Sequence, residues 1–271
     1  MKDRLLTWEE SVIWLRGQPD KLELIRACFF DDPLIEVTER YYRSSEWQEI
    51  RNFLPDPPGK VLDLGAGRGI SSYALARDGW DVVALEPDGS MIVGAGAIRS
   101  MAIEAGLPIK VEQSWGEELP FPEATFDVVY GRQVLHHAKN LKQLCCEAAR
   151  VLKIGGIFIA TREHVITKRE HLNVFLEGHP LHRLYGGECA YLLNDYTDAI
   201  RNAGISITHI LNPCNSDINL FPETKSSLKE KIAHKIFFPF PKMVPEILLS
   251  LIGSIDETPG RLYSFFGIKK Q

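Results

Sequence analysis

From residue 60 onward, short apolar runs alternate with longer stretches of mixed polarity. The runs at 60–64, 81–86, 109–113, 126–131 and 156–162 have strand length and are rich in Val, Ile, Leu and Phe. The segments 68–78, 88–105 and 140–152 have helix length and amphipathic spacing. Regular strand–helix alternation implies a parallel sheet with helices on both faces. A further helix is expected over 190–203, with strands at 205–211 and 261–269. In such sheets ligands bind beyond the carboxyl ends of the strands.

The first sixty residues read as helices instead. Thr7-Trp8-Glu9-Glu10 fits a capping box, in which Thr7 and Glu10 satisfy the first amides. A second helix is expected from Pro19, a third over 33–43 and a fourth over 44–53. Pro55, Pro57, Pro58 and Gly59 then break the chain. The division this suggests is a helical cap at 1–58 and a core at 59–271. Two segments exceed a normal connection: the His-rich 163–188, read as a lid or substrate segment, and an insertion at 212–260. The apolar run Ile247–Ile252 is a candidate to cap the site, to meet a partner or to rest on a membrane surface.

The most informative local pattern is Val61-Leu62-Asp63-Leu64-Gly65-Ala66-Gly67-Arg68-Gly69, an apolar strand ending in a glycine-rich turn before a helix. Glycines there permit close approach of backbone to ligand, and the helix start offers amides to a negative group. The second strand delivers Glu86, about 20 residues beyond Gly65, where nucleotide-binding folds place a carboxylate for ribose hydroxyls. The dinucleotide fingerprint wants its third glycine at position 70, which is Ile70.

Composition narrows the class. At 271 residues, 45% hydrophobic and 25% charged, the chain can bury one α/β core and a recognition lobe. A net charge of −5 argues against nucleic-acid binding. No run of about 18 uncharged apolar residues occurs, so a spanning helix is not expected and membrane contact is disfavoured. Cys28, Cys145, Cys146, Cys189 and Cys214 show no C-x-x-C spacing, which points to a reduced, cytoplasmic setting.

Beyond the glycine turn come Leu119-Pro120-Phe121-Pro122, Phe126-Asp127-Val128-Val129, Leu135-His136-His137 and Arg150-Val151-Leu152-Lys153-Ile154-Gly155-Gly156. This order, over roughly 61–161, resembles class I S-adenosylmethionine-dependent methyltransferases of the small-molecule type, including those of quinone biosynthesis. The resemblance implies a Rossmann-like, doubly wound, mostly parallel seven-stranded sheet whose last strand is antiparallel. It implies S-adenosyl-L-methionine as methyl donor, S-adenosyl-L-homocysteine as product and a small molecule, such as a sugar or lipid-linked intermediate, as acceptor.

It also assigns roles. Gly65, Ala66, Gly67 and Gly69 would approach the methionine part of the donor. Asp63 would orient that loop or meet the donor's amino group, Glu86 would hold the ribose, and Pro87 would flank the adenine. Many relatives carry an Asp before the Leu-Pro-Phe segment, where this chain has Trp115; Trp115 stacking on the adenine with Ser114 accepting, or Trp115 packed at the sheet edge, are both open. Gly131 and Arg132 end the fourth strand, and Arg132 is a candidate for a carboxylate of donor or substrate. His136, His137 and His164 are the candidate general bases. His179 and His182 lack an H-E-x-x-H or comparable spacing, so no metal site is expected. Tyr41, Tyr42, Trp47, His179 and Tyr185 are candidates for the acceptor lobe. A nicotinamide-dependent oxidoreductase and a non-catalytic donor-binding partner are the competing readings. Nothing in the sequence sets the oligomeric state.

Overall fold

The computed structural model describes residues 5–270. The N-terminal helices are α1 (Trp8–Arg16), α2 (Leu22–Ala27), α3 (Leu34–Tyr42) and α4 (Ser45–Ile50). The Thr7–Glu10 capping box forms, with the Glu10 amide donating to Thr7 Oγ1 at 3.1 Å and the Thr7 amide to Glu10 Oε2 at 2.7 Å. The expected second and fourth helices are each split: a 3-10 turn at Pro19–Lys21 precedes α2, and another at Arg51–Phe53 follows α4.

The core runs β1 (Lys60–Leu64), α5 (Ile70–Arg77), β2 (Asp81–Leu85), α6 (Ala95–Ala105), β3 (Lys110–Glu112), β4 (Phe126–Arg132), α7 (Leu141–Val151) and β5 (Leu152–Ile166). Then follow α8 (His171–Gly178), α9 (His182–Tyr185), β6 (Tyr191–Leu192), α10 (Leu193–Asn202) and β7 (Ile205–Leu211). The insertion supplies α11 (Asp217–Leu220), α12 (Lys225–Lys235) and α13 (Glu246–Ile255) before β8 (Arg261–Lys269).

The strands form one sheet in the order β3-β2-β1-β4-β5-β8-β7, with β6 pairing alongside β5. Pairing is parallel except where β8 runs antiparallel to β5 and β7. The expected seven strands are therefore present, and two-residue β6 makes an eighth. Strand order reverses between β1 and β4, which is where an open α/β sheet leaves a crevice.

Two boundaries differ from the sequence reading for identifiable reasons. The helix expected over 88–105 begins only at Ala95, because residues 88–94 are held in a turn by side chains: Asp88 Oδ1 takes the Ser90 amide, and Ser90 Oγ takes the amides of Ile92 and Val93. Strand β5 is longer than expected because it pairs on both sides beyond Thr161, with β6 and with β8. Its pairing with β8 is irregular between Ala160 and Glu163, where Arg162 takes a φ of 61°. Such a bulge re-aims the residues that follow it.

Phe29, Val37, Tyr41, Trp47 and Ile50 from the N-terminal region share one buried cluster with Val61, Val82, Val128 and Ile159 of the sheet. The helical region is thus packed onto the face of β1 and β4. Tyr41 and Trp47 are wholly buried in that cluster, so they serve as core rather than as acceptor contacts. Among the described residues no helix is long and apolar enough to cross a membrane. Helix α13 buries Leu249 and exposes Ile247, Leu251 and Ile255.

Candidate functional site

The glycine turn after β1 has the backbone that only glycine adopts without strain. Gly65, Gly67 and Gly69 have φ values of 62°, 54° and 85°. They differ in what surrounds them. A Cβ on Gly65 would lie 2.7 Å from Val134 Cγ2, and one on Gly69 would lie 3.0 Å from Met101 Cε, whereas Gly67 faces open space. The turn therefore packs through Gly65 and Gly69 and presents its main chain to the cavity at Gly67. Below it, Asp63 is buried and accepts from Ser71 Oγ at 2.7 Å and from Ser72 Oγ. These bonds tie the end of β1 to the first turn of α5. Burial pushes the Asp63 carboxyl up to about 6, against the two serine bonds, and its Oδ1 has no partner.

Glu86, just past β2, reaches across to this turn. Its Oε2 accepts the Gly67 amide at 2.8 Å and its Oε1 the Asp88 amide at 3.0 Å. Burial pushes it up to about 7, opposed by those two amides. Pro87 and Trp115 line the same cavity; Trp115 is more than half exposed, with Lys139 Nζ 4.6 Å above its ring. Ser114 does not line the cavity, and its hydroxyl donates to the Glu118 carbonyl at 3.2 Å.

Gly131 sits in register with Leu64 at the end of β4. Next to it, Arg132 is bound by a residue of α4: its Nε and Nη2 donate to the two oxygens of fully buried Glu46 at 2.6 and 3.0 Å. Its guanidinium also lies over the rings of Phe29 and Tyr41. Arg162 approaches the same carboxylate at 3.9 Å and donates to the Ile218 carbonyl at 2.6 Å. Arg132 still lines the cavity, but its charge is compensated from within the protein.

The bulge in β5 aims Glu163 at the 3-10 turn Leu135–His137. Fully buried, Glu163 accepts the amides of Val134, Leu135 and His136 at 3.0, 3.1 and 3.0 Å, and His136 Nδ1 at 2.7 Å. Burial raises the Glu163 pKa, and the three amides oppose that rise. Burial also holds His136 well below the usual imidazole range and His164 down to about 3. His164 Nδ1 stands 2.7 Å from the Gly260 carbonyl, and His137 Nδ1 stands 3.1 Å from that of Gly187. Glu188 completes the group, with Oε2 3.7 Å from His136 Nε2 and Oε1 3.8 Å from His179 Nε2. Tyr185 donates its hydroxyl to Glu188, whose pKa is lowered chiefly by His137, His179 and His136 against the effect of burial.

One cavity of about 410 Å³ joins these parts. Gly65, Ala66, Gly67, Glu86 and Pro87 line one end; His136, His137, His164, His179 and Glu188 line the other. Trp8, Leu15, Leu24, Phe29, Phe30 and Leu181 form apolar walls between N-terminal helices and the 163–188 segment. No residue of 212–260 lines it. Asp63, Gly69, Ser114 and Gly131 stand outside its lining. Sequence reasoning missed Glu46, Glu163 and Glu188; the partners of Glu46 and Glu163 are far along the chain, and none of the three belongs to a motif. The one available signal was for Glu188, which closes a segment already read as a substrate loop.

Fold and cradle together define a nucleotide-type α/β domain with its ligand crevice between β1 and β4. Residues 62–160 match the family described as "Methyltransferase domain". Among curated proteins the chain is 37% identical over 135 residues to a sarcosine/dimethylglycine N-methyltransferase of Aphanothece halophytica, covering 48% of this chain and 46% of that one. It is 33% identical over 113 residues to a ubiquinone biosynthesis O-methyltransferase of Azorhizobium caulinodans, covering 42% and 44%. Each match spans about half or less of the relative's length. A solved structure of a putative sarcosine dimethylglycine methyltransferase from Galdieria sulphuraria superposes with a TM-score of 0.58, covering 88% of this chain and 91% of that one at 19% identity, which establishes the shared fold.

Proposed function

We propose that this chain transfers the methyl group of S-adenosyl-L-methionine to a small-molecule acceptor. The single observation that carries the reading is Glu86 bonded to the Gly67 amide in the same cavity that the histidines line. The donor fits the residues present. Open space beside Gly67 admits it against the main chain, and the Glu86 carboxyl is placed to accept from ribose hydroxyls, while buried Asp63 braces the turn through Ser71 and Ser72. When bound, the donor supplies a methyl group already activated by its sulfonium charge.

The remaining task of the protein is alignment and exclusion of water. Gly67 and Glu86 fix one reactant. The apolar walls from Trp8, Leu15, Phe29, Phe30 and Leu181 close over the other. This lining favours an acceptor with an apolar body and one polar end, such as a lipid-linked intermediate, over a free sugar. His136, His137 and His164 form the polar pole that receives that end. Neither competing reading gains support: Ile70 stands where a dinucleotide site needs glycine, and the named relatives are methyltransferases.

Calorimetric titration with the donor, followed by transfer of labelled methyl to a fractionated metabolite pool, tests this. Saturable binding and a labelled product are expected. Absence of binding up to millimolar donor removes the proposal.

A further inference from the structure

We propose that His136, His164 and Glu188 form a binding site for one divalent, imidazole-preferring metal ion at the acceptor end of the cavity. The three residues come from separate segments: the 3-10 turn after β4, the end of β5 past its bulge, and the Gly186-Gly187-Glu188 stretch after α9. Their ligand atoms nevertheless lie within 4.8 Å of one another. Ligands at about 2.1 Å from a tetrahedral ion stand roughly 3.4 Å apart, so small side-chain rotations suffice to close on a metal.

Tautomers make the case stronger than proximity does. The Gly260 carbonyl only accepts, so His164 Nδ1 carries the hydrogen and its Nε2 presents a lone pair. Glu163 already accepts three amides, so His136 Nδ1 is its fourth donor and His136 Nε2 presents a lone pair as well. The His136 lone pair faces the Glu188 carboxylate, itself an acceptor, with Oε2 at 3.7 Å from His136 Nε2, and a ligand atom of His164 lies within 4.8 Å of both. Three acceptors facing each other in a buried pocket repel unless a cation lies between them. A metal there also balances the charge of Glu163.

The surrounding bonds match what metal sites use. A ligating histidine normally donates its other nitrogen to a carboxylate or a carbonyl, which fixes ring orientation. Glu163 and Gly260 supply one of each. Tyr185 holds Glu188 in the same way. Two imidazoles and a carboxylate suit zinc or ferrous iron rather than magnesium or calcium. Three protein ligands would leave a position open, and all three residues line the cavity. His179 Nε2, 3.8 Å from Glu188 Oε1, is within reach as a fourth ligand. An oxygen or nitrogen at the acceptor's polar end is the chemistry such an open position takes. This departs from the expectation of no metal, which relied on short-range motifs.

The test uses the full chain, stripped with a chelator and dialysed against Zn²⁺, with metal content read by elemental analysis and affinity by calorimetry. One equivalent per chain is expected. Glu188→Gln and His164→Ala should each weaken binding at least tenfold, while His234→Ala on exposed α12 should not. Circular dichroism verifies folding; should His164→Ala fail to fold, Glu188→Gln and quenching of a Co²⁺ visible spectrum by Zn²⁺ decide. Substoichiometric metal, or retention unaffected by Glu188→Gln, overturns the proposal. Donor titration on the metal-free protein is scored separately, so loss of the metal site and loss of the methyltransferase reading are distinguishable.

Discussion

Glu86 and Gly67 are joined by a 2.8 Å hydrogen bond between the carboxylate of one and the backbone amide of the other. The bond links the ends of β2 and β1 and leaves the carboxyl facing the cavity. Replacing Glu86 by Gln keeps the shape and removes the charged acceptor. Charged hydrogen bonds contribute about 1.5–3 kcal/mol each, so Glu86→Gln should weaken donor binding by roughly 10- to 100-fold. Calorimetry on both proteins measures this, and equal affinities would remove Glu86 from the site.

The same carboxyl gives donor binding a pH dependence. Burial places Glu86 at about 7 in the donor-free protein, so it is mostly protonated at pH 6 and mostly ionised at pH 8. Accepting two ribose hydroxyls requires the ionised form. Donor affinity should rise by roughly tenfold across that interval and then level off. Glu86→Gln should flatten the profile; a slope that survives the substitution assigns it to another group.

Asp63 makes a related prediction about stability. Its folded pKa of about 6 lies above its ordinary value of 3.8. Between those values the folded chain holds a proton that the unfolded chain has released, so stability falls as pH rises through the window. The full effect is of the order of 2–3 kcal/mol. Thermal melts at pH 4 to 7 should show a shallower decline for Asp63→Asn than for the parent protein. Parallel curves would show that Asp63 carries no such linkage.

Gly67 and Gly65 separate function from packing. Both have left-handed backbone, which costs alanine about 1–2 kcal/mol. A Cβ on Gly67 meets nothing, while one on Gly65 meets Val134 at 2.7 Å. Gly67→Ala should lose little beyond the backbone cost yet obstruct the donor, with affinity down about tenfold or more. Gly65→Ala adds an overpacking cost of about 1–3 kcal/mol and should show mainly as a lower Tm. Melting curves beside donor titrations check the pair, and the reverse ranking would contradict it.

How much of this was readable from the chain follows from sequence distance. The Gly65–Gly69 turn, Glu86 and the strand–helix alternation are local or set by one βαβ unit, so periodicity and residue type reveal them. The His136–Glu163 pair spans 27 residues and Arg132–Glu46 spans 86, with no motif joining either. The bulge at Arg162 is a tertiary event, forced where β5 changes register against β8. Ser114 was expected to accept from the adenine beside Trp115, but it lies outside the cavity lining and its hydroxyl donates to the Glu118 carbonyl. Tyr41 and Trp47 looked like acceptor contacts because they are amphipathic aromatics, yet their polar tips find partners inside: Tyr130 for the first at 3.1 Å, Asp78 for the second at 2.9 Å.

The Arg132–Glu46 pair yields the prediction that separates a structural from a ligand-binding arginine. Glu46 is wholly buried and faces two guanidiniums, Arg132 at 2.6 Å and Arg162 at 3.9 Å. Burial disfavours the charge on each arginine, and the carboxylate opposes this for both. Glu46→Gln leaves two cations enclosed with no counter-charge, a loss of about 3–5 kcal/mol. For a chain of this size that lowers Tm by roughly 10 °C. A ligand carboxylate reaching Arg132 would supply the missing charge, so an acidic acceptor should restore part of the lost Tm in Glu46→Gln while adding less to the parent protein. Thermal shift measured with a panel of carboxylic acids reads this directly. Were Glu46→Gln as stable as the parent, the buried pair would not be the element that fixes α4 against the end of β4, and Arg132 would be free to take the ligand role its position in the cavity allows.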